Sequence, residues 1–186
     1  MSQIILASSS PRRKELLSYL PFTFSVHPSS YEETFSPDED PEKTVLRLAK
    51  GKAEEVASRF PQSVVIGCDT IVAGEKILGK PRDEKEAVSM LEELSGNTHT
   101  VWTGVSIVSP LRKAEFAERV DVTFWPLSKE EITAYAKTTD PYDKAGGYGI
   151  QSGGALFVKH INGDYYTVMG LPVSRLHREI AVFLQS

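Results

Sequence analysis

The feature that most constrains this fold is a strand-to-helix junction at the very start of the chain. Ile4-Ile5-Leu6-Ala7 is short, uncharged and β-branched at its start, as a buried strand should be. Ser8-Ser9-Ser10 follows, then Pro11, with Leu16, Leu17 and Leu20 forming an apolar stripe at helical spacing. Ser10 and Pro11 fit an N-cap and a first helical position. The next residues break the usual pattern. A first helical turn favours Asp or Glu, yet here stand Arg12, Arg13 and Lys14, each costing roughly 0.3–1 kcal/mol against the helix dipole unless an anion is near. Two readings stay open at this point. Serine hydroxyls, free backbone N–H groups and two guanidinium forks make a phosphate site; equally, a capped surface helix can point its cations into water.

Further along, Phe22-Thr23-Phe24-Ser25-Val26 alternates like a half-buried strand, and Pro28 to Glu33 reads as loop. The acidic run from Ser36 to Glu42 leads into a helix from Glu42 to about Arg59, with Gly51 interrupting it between Lys50 and Lys52. Ser63 to Cys68 is the most apolar strand, with Asp69-Thr70 expected at its C-terminal end, the edge where open α/β sheets bind ligands. A hairpin over 71–78 leads to Gly79-Lys80-Pro81, and Asp83 caps a helix to about Leu94. Long strands are expected over 100–109 and 114–125, then a capping box at Ser128 opening a helix through about Lys137. Residues 138–154 read as a long functional loop, 155–161 as a last strand, and Pro172 as the start of a closing helix to about Leu184.

At 186 residues the chain suits a single domain over 1–186, and its net charge of −4 argues against general nucleic-acid binding or a membrane-surface role. Cys68 is the only cysteine, and no apolar run approaches 18 residues, so the expected location is the cytoplasm. Asp69 after a buried strand either starts a turn or needs a cation, a metal or an open edge. Glu32 and Glu33 are loop acids of the hard oxygen type that a divalent cation on phosphates takes as ligands. Lys52 and Lys80 are weak signals alone. Gly146 to Gln151 is either a flexible loop or a close approach to a ligand, with Gln151 offering both a donor and an acceptor. The histidines show no metal-ligand spacing, and both the Walker and Rossmann glycine patterns are absent.

Together these pieces ask for a polyphosphate ligand, one metal and one base, and here a family resemblance enters. Leu6 to Leu17, Gly67-Cys68-Asp69-Thr70 with Val72, Leu78-Gly79-Lys80-Pro81, Met90-Leu91 with Leu94-Ser95-Gly96, Asp143 to Gly146, Tyr148 to Gln151 and Gly170-Leu171-Pro172 resemble the Maf family, in order and over nearly the whole chain. The resemblance implies an α/β fold: a mixed, twisted central sheet flanked by helices, two lobes with a nucleotide cleft, related to the inosine-triphosphate pyrophosphatases. It implies Asp69 as proton acceptor, with Glu33 its acidic partner at a divalent metal, Mg²⁺ or Mn²⁺. It implies Ser8, Arg13, Lys52 and Lys80 around the phosphates. Arg12, Thr70 and Gln151 match the positions that separate subfamilies and resemble the group hydrolysing dTTP and UTP to the monophosphate and pyrophosphate. Pyrimidine nucleoside triphosphates are thus the expected partners; the oligomeric state stays open, a homodimer included. Gly147 departs from the alanine expected of many members, and Gly51 beside Lys52 is also unusual. The alternative is a nucleotide-binding regulator of septum formation without turnover, which would not need Asp69 and Glu33.

Overall fold

The computed structural model describes residues 3–184. Its centre is a seven-stranded mixed sheet. The strands are β1 (Ile4–Leu6), β2 (Ser25–Val26), β3 (Val64–Ala73), β4 (Ile77–Leu78), β5 (Thr98–Val108), β6 (Lys113–Phe124) and β7 (Val158–Asn162). They lie in the order β2-β1-β3-β5-β6-β7, with β4 also paired to β3; β1 is parallel to β2 and β3, and the other pairings are antiparallel. The helices are α1 (Pro11–Leu17), α2 (Pro41–Arg59), α3 (Glu84–Leu94), α4 (Lys129–Ala136), α5 (Tyr165–Met169) and α6 (Val173–Leu184).

The sheet separates two apolar layers, as the period-two pattern of its strands requires. On β3, Val64, Ile66, Cys68 and Val72 enter the larger core, which also takes Leu16 and Leu17 of α1, Leu91 and Leu94 of α3, and Leu176 and Ile180 of α6. The alternate residue Val65 joins Ala53 and Val56 of α2 on the other face. Each fully buried leucine or isoleucine contributes roughly 1.5–3 kcal/mol, so the α1 and α6 stripes alone fix those helices to the sheet.

Two glycines let α2 lie directly on the strands. A Cβ at Gly67 would stand 2.3 Å from the Ala49 carbonyl oxygen, and one at Gly104 would stand 2.5 Å from that of Val45. Backbone cannot yield as a side chain can, so larger residues there would lift the helix off the sheet. Asp69 is paired across the strands with Gly104 and sits two residues beyond Gly67, on the same face. Helix α2 therefore passes right over it.

The expected strand ending at Cys68 is longer than the sequence suggests: β3 runs unbroken through Asp69 and Thr70 to Ala73. The reason is β5, which stays in register with it from Val65↔Val108 to Ala73↔Thr100. On its other side β3 has β1 only at 64–66 and β4 only at 72–73. The stretch between, carrying Asp69 and Thr70, has no strand neighbour there, and this gap in the sheet is where the cleft opens. The loop over 138–154 is largely ordered into short 3₁₀ turns at Asp140–Asp143, Ala145–Gly147 and Gly153–Phe157. The last of these takes the first residues expected of the final strand. Helix α5 is also new relative to the sequence reading. Among the described residues, no helix is long and apolar enough to cross a membrane.

Candidate active site

A cleft of about 310 Å³ lies at the gap beside β3, and every residue that the family resemblance implies for the site lines it; of the two loop acids, Glu33 lines the cleft and Glu32 does not. On the α2 face, Lys52 Nζ is 2.5 Å from Asp69 Oδ1 and 2.7 Å from Glu33 Oε1. Asp69 and Lys52 are buried, at 5% and 6% exposure, while the Glu33 side chain is 43% exposed. A buried charge is costly unless paired and hydrogen-bonded, and here each buried charge has the other. Burial pushes the Glu33 carboxyl up, but the hydrogen bond and charge of Lys52, with Lys80 and Arg13 behind it, outweigh that and hold it below its usual value. Lys80 approaches Glu33 at 3.8 Å with its own side chain 57% exposed, a loose surface pairing worth about 0–1 kcal/mol.

Gly51 explains how Glu33 reaches Lys52. A Cβ there would stand 2.3 Å from Tyr31 Cζ, so the missing side chain lets the Tyr31 ring lie on α2 beside Lys52. Ser29 Oγ and the Ser30 N–H both donate to Glu55 of α2, and Arg47 donates to the Thr34 carbonyl. The Glu33 loop is thus tied to the helix on both sides of the glutamate.

The opposite face of β3 carries the second half of the site. Ser10 caps α1, its side chain accepting from the Arg13 N–H. The Arg13 guanidinium donates through Nε to the Gly170 carbonyl at 2.9 Å, through Nη1 to Ser8 Oγ at 3.3 Å, and through Nη2 to Thr70 Oγ1 at 3.0 Å. Arg12 turns the other way and pairs with Asp143 at 2.9 Å. Neither arginine of the anomalous first turn points idly into water.

The third wall is the 3₁₀ segment. Lys144, its side chain only 11% exposed, bridges Asp140 and Asp143. Tyr148 is buried edge-on against His99 and Phe124, with its hydroxyl 2.8 Å from His99 Nε2; burial drops His99 to about 4, so the imidazole is neutral. Gln151, exposed, follows on the cleft rim. Gly146 and Gly147 both have φ +69°, the left-handed region that glycine enters without strain. Asp143, Lys144 and the Gly170 carbonyl are site groups beyond those expected from the sequence. The last is presented by α5, whose signal was an Asp164 N-cap and a Gly170 C-cap around a helix too short to show periodicity.

Fold and site together define an α/β protein with a cationic cleft at a sheet gap, where two carboxylates share a buried lysine opposite a braced arginine. The Maf family profile, described as Maf-like protein, matches residues 3–183, and the chain belongs to that family. It is 52% identical over 184 residues to proteins named dTTP/UTP pyrophosphatase from Bacillus cytotoxicus (strain DSM 22905 / CIP 110041 / 391-98 / NVH 391-98) and Bacillus cereus (strain AH820), covering 98% of this chain and 96% of each relative. The solved structure of the Staphylococcus aureus Ham1 protein is similar over 66% of this chain and 72% of that one, at 15% identity and a TM-score of 0.46.

Proposed function

We propose that this protein hydrolyses dTTP and UTP to the nucleoside monophosphate and pyrophosphate. The observation that carries the reading is the cleft itself: Asp69, Lys52 and Glu33 on one side of β3 face the same space as Arg13, Ser8 and Lys80. Family membership and the relatives' names support the substrate class.

Hydrolysis between the α and β phosphates needs a positioned water, a proton acceptor and cations on the departing group. Asp69 is the acceptor: Lys52 holds its Oδ1, and Oδ2 has no hydrogen-bond partner among the described residues. Arg13, with Lys52 and Lys80, holds the phosphates; the braced guanidinium arrives with its orientation already fixed. Gln151 meets the base from the rim, and Arg12 joins the wall that carries it to α1.

The donor set also fits a divalent cation bound together with the phosphates. Among the described residues no three His, Cys, Asp or Glu groups gather, so a dedicated protein cage is absent. Mg²⁺ characteristically takes one or two carboxylates and fills its remaining positions with phosphate oxygens and water. Asp69 and Glu33 would hold it, and its chemistry would be to neutralise phosphate charge.

The test is product analysis on a panel of nucleoside triphosphates. The expected products from UTP and dTTP are monophosphate and pyrophosphate. Diphosphate and orthophosphate, or tight binding with no turnover of any nucleotide, would refute the proposal, the latter in favour of a regulator.

A further inference from the structure

The geometry points to Thr103 as the positioning residue that sets the phosphate-binding arginine. This rests on the reading that Arg13 grips the substrate's phosphates. Thr103 lies in β5, 0% exposed, paired across the strands with Thr70, and it is not among the residues lining the cleft. Its Oγ1 is 2.8 Å from Thr70 Oγ1 and 2.8 Å from the Thr167 carbonyl oxygen.

The direction of these bonds follows from counting hydrogens. A hydroxyl has one to give. The Thr167 carbonyl can only accept, so Thr103 donates there. Thr70 then donates to Thr103, which leaves Thr70 Oγ1 facing Arg13 Nη2 as an acceptor. The chain of bonds that uses every hydrogen therefore runs one way, from Arg13 through Thr70 and Thr103 to the Thr167 carbonyl. A threonine so placed has no hydrogen left for a nucleotide; its work at position 70 is to hold Arg13.

Thr103 also reaches the second support. Thr167 belongs to α5, where the Asp164 carboxylate accepts from both its N–H and its hydroxyl. Three residues on, at the end of the same short helix, the Gly170 carbonyl accepts from Arg13 Nε. One buried hydroxyl thus fastens β3 and α5 together, and those elements carry two of the three groups that brace the guanidinium. Ser8 carries the third. A guanidinium braced on one side presents its remaining N–H groups in a fixed direction, which favours forked contact with phosphate.

The experiment compares Thr103→Val, Thr103→Ser, Arg13→Ala and the Thr103→Val/Arg13→Ala double variant. Each is assayed for kcat/KM with UTP and for inhibition by pyrophosphate, below its own Tm. Thr103→Val keeps the shape and removes both bonds; kcat/KM should fall about tenfold, in line with loss of a hydrogen bond supporting a charged group. The pyrophosphate inhibition constant should rise by a similar factor. Thr103→Ser keeps the hydroxyl and should stay within about twofold of the parent on both readouts. In the Arg13→Ala background, Thr103→Val should add less than about twofold, because residues acting through one another are not additive. An undiminished loss in that background, or unchanged kinetics in Thr103→Val, would overturn the proposal. If Arg13→Ala itself leaves kcat/KM and pyrophosphate inhibition unchanged, the phosphate role of Arg13 falls first, and this inference with it. Should Thr103→Val not fold, Thr70→Val breaks the same chain one link nearer the arginine, with the same expected loss and the same non-additivity.

Discussion

Replacing Lys52 with methionine isolates what the buried ion pair contributes. The substitution keeps an unbranched side chain of similar length inside α2 and removes the charge that Asp69 and Glu33 share. The two halves of the cost differ. Glu33 is 43% exposed and can turn to water, so losing its partner costs about 0–1 kcal/mol. Asp69 is 5% exposed, lies under α2 and has Lys52 as its only side-chain partner among the described residues. Breaking a buried pair by removing one member costs roughly 3–5 kcal/mol, because the other charge stays behind unpaired. At about 2–4 °C per kcal/mol for a chain of this size, Tm should fall by roughly 6–20 °C near neutral pH. Adding Asp69→Asn to Lys52→Met removes the orphaned charge and should restore most of the loss. Urea denaturation of the parent, both single variants and the double variant measures this directly. A Lys52→Met protein within about 1 kcal/mol of the parent, or a double variant no more stable than Lys52→Met, would show that the pair is not the buried, mutually dependent unit described here.

Gly51→Ala should raise or preserve stability, since alanine is favoured over glycine in a helix by about 0.5–1 kcal/mol and the half-exposed Tyr31 ring can swing aside, yet it should lower activity by displacing the Glu33 loop; thermal melts and UTP turnover on one preparation decide. Gly147→Ala should cost roughly 1–2 kcal/mol in a urea titration, because φ +69° is strained for any residue with a Cβ. Glu33→Gln should be a little less stable than the parent at neutral pH. The Glu33 carboxyl is held below its usual value, so its contribution is present above the unfolded value of 4.5 and is lost as pH falls through the lowered one. The stability difference between the two proteins should therefore vanish in acid, and a difference that grows there would contradict the assignment. Chelation with EDTA should abolish turnover and Mg²⁺ or Mn²⁺ should restore it; full activity in excess chelator would remove the metal from the proposal.

Much of the fold is written locally in the chain, and the exceptions have physical causes. The Ser10-Pro11 and Asp83 caps and the capping box at Ser128 mark their helices at the sequence level, and all three are formed. The length of β3 is not local, because it depends on a partner strand about thirty residues away; Asp69 therefore looked like a strand end when it is mid-strand. Helix α5 has a cap at each end but too few residues for a period. The basic first turn of α1 shows the limit most clearly. Its sequence could not choose between a phosphate site and an idle surface helix, because only Ser8 among the acceptors for Arg13 is local; Gly170 and Thr70, and Asp143 for Arg12, are remote in the chain. For the same reason removing either arginine should lower the stability of the nucleotide-free protein, where helix-dipole reasoning alone would foresee no loss. Thr103 left no local trace: a threonine in an apolar strand reads as sheet, and only its neighbours give it a role.

In the proposed reaction Asp69 takes the proton from the attacking water in a cleft that holds pyrimidine nucleoside triphosphates by their phosphates. Asp69→Asn tests it most directly, since the side chain keeps its size and loses the ability to accept a proton. Single-turnover hydrolysis of UTP, read as pyrophosphate released, is measured beside UTP binding to the same protein. The expected result is a rate lower by roughly 10²–10⁴ with nucleotide binding retained. A rate within a few-fold of the parent would show that Asp69 is not the proton acceptor.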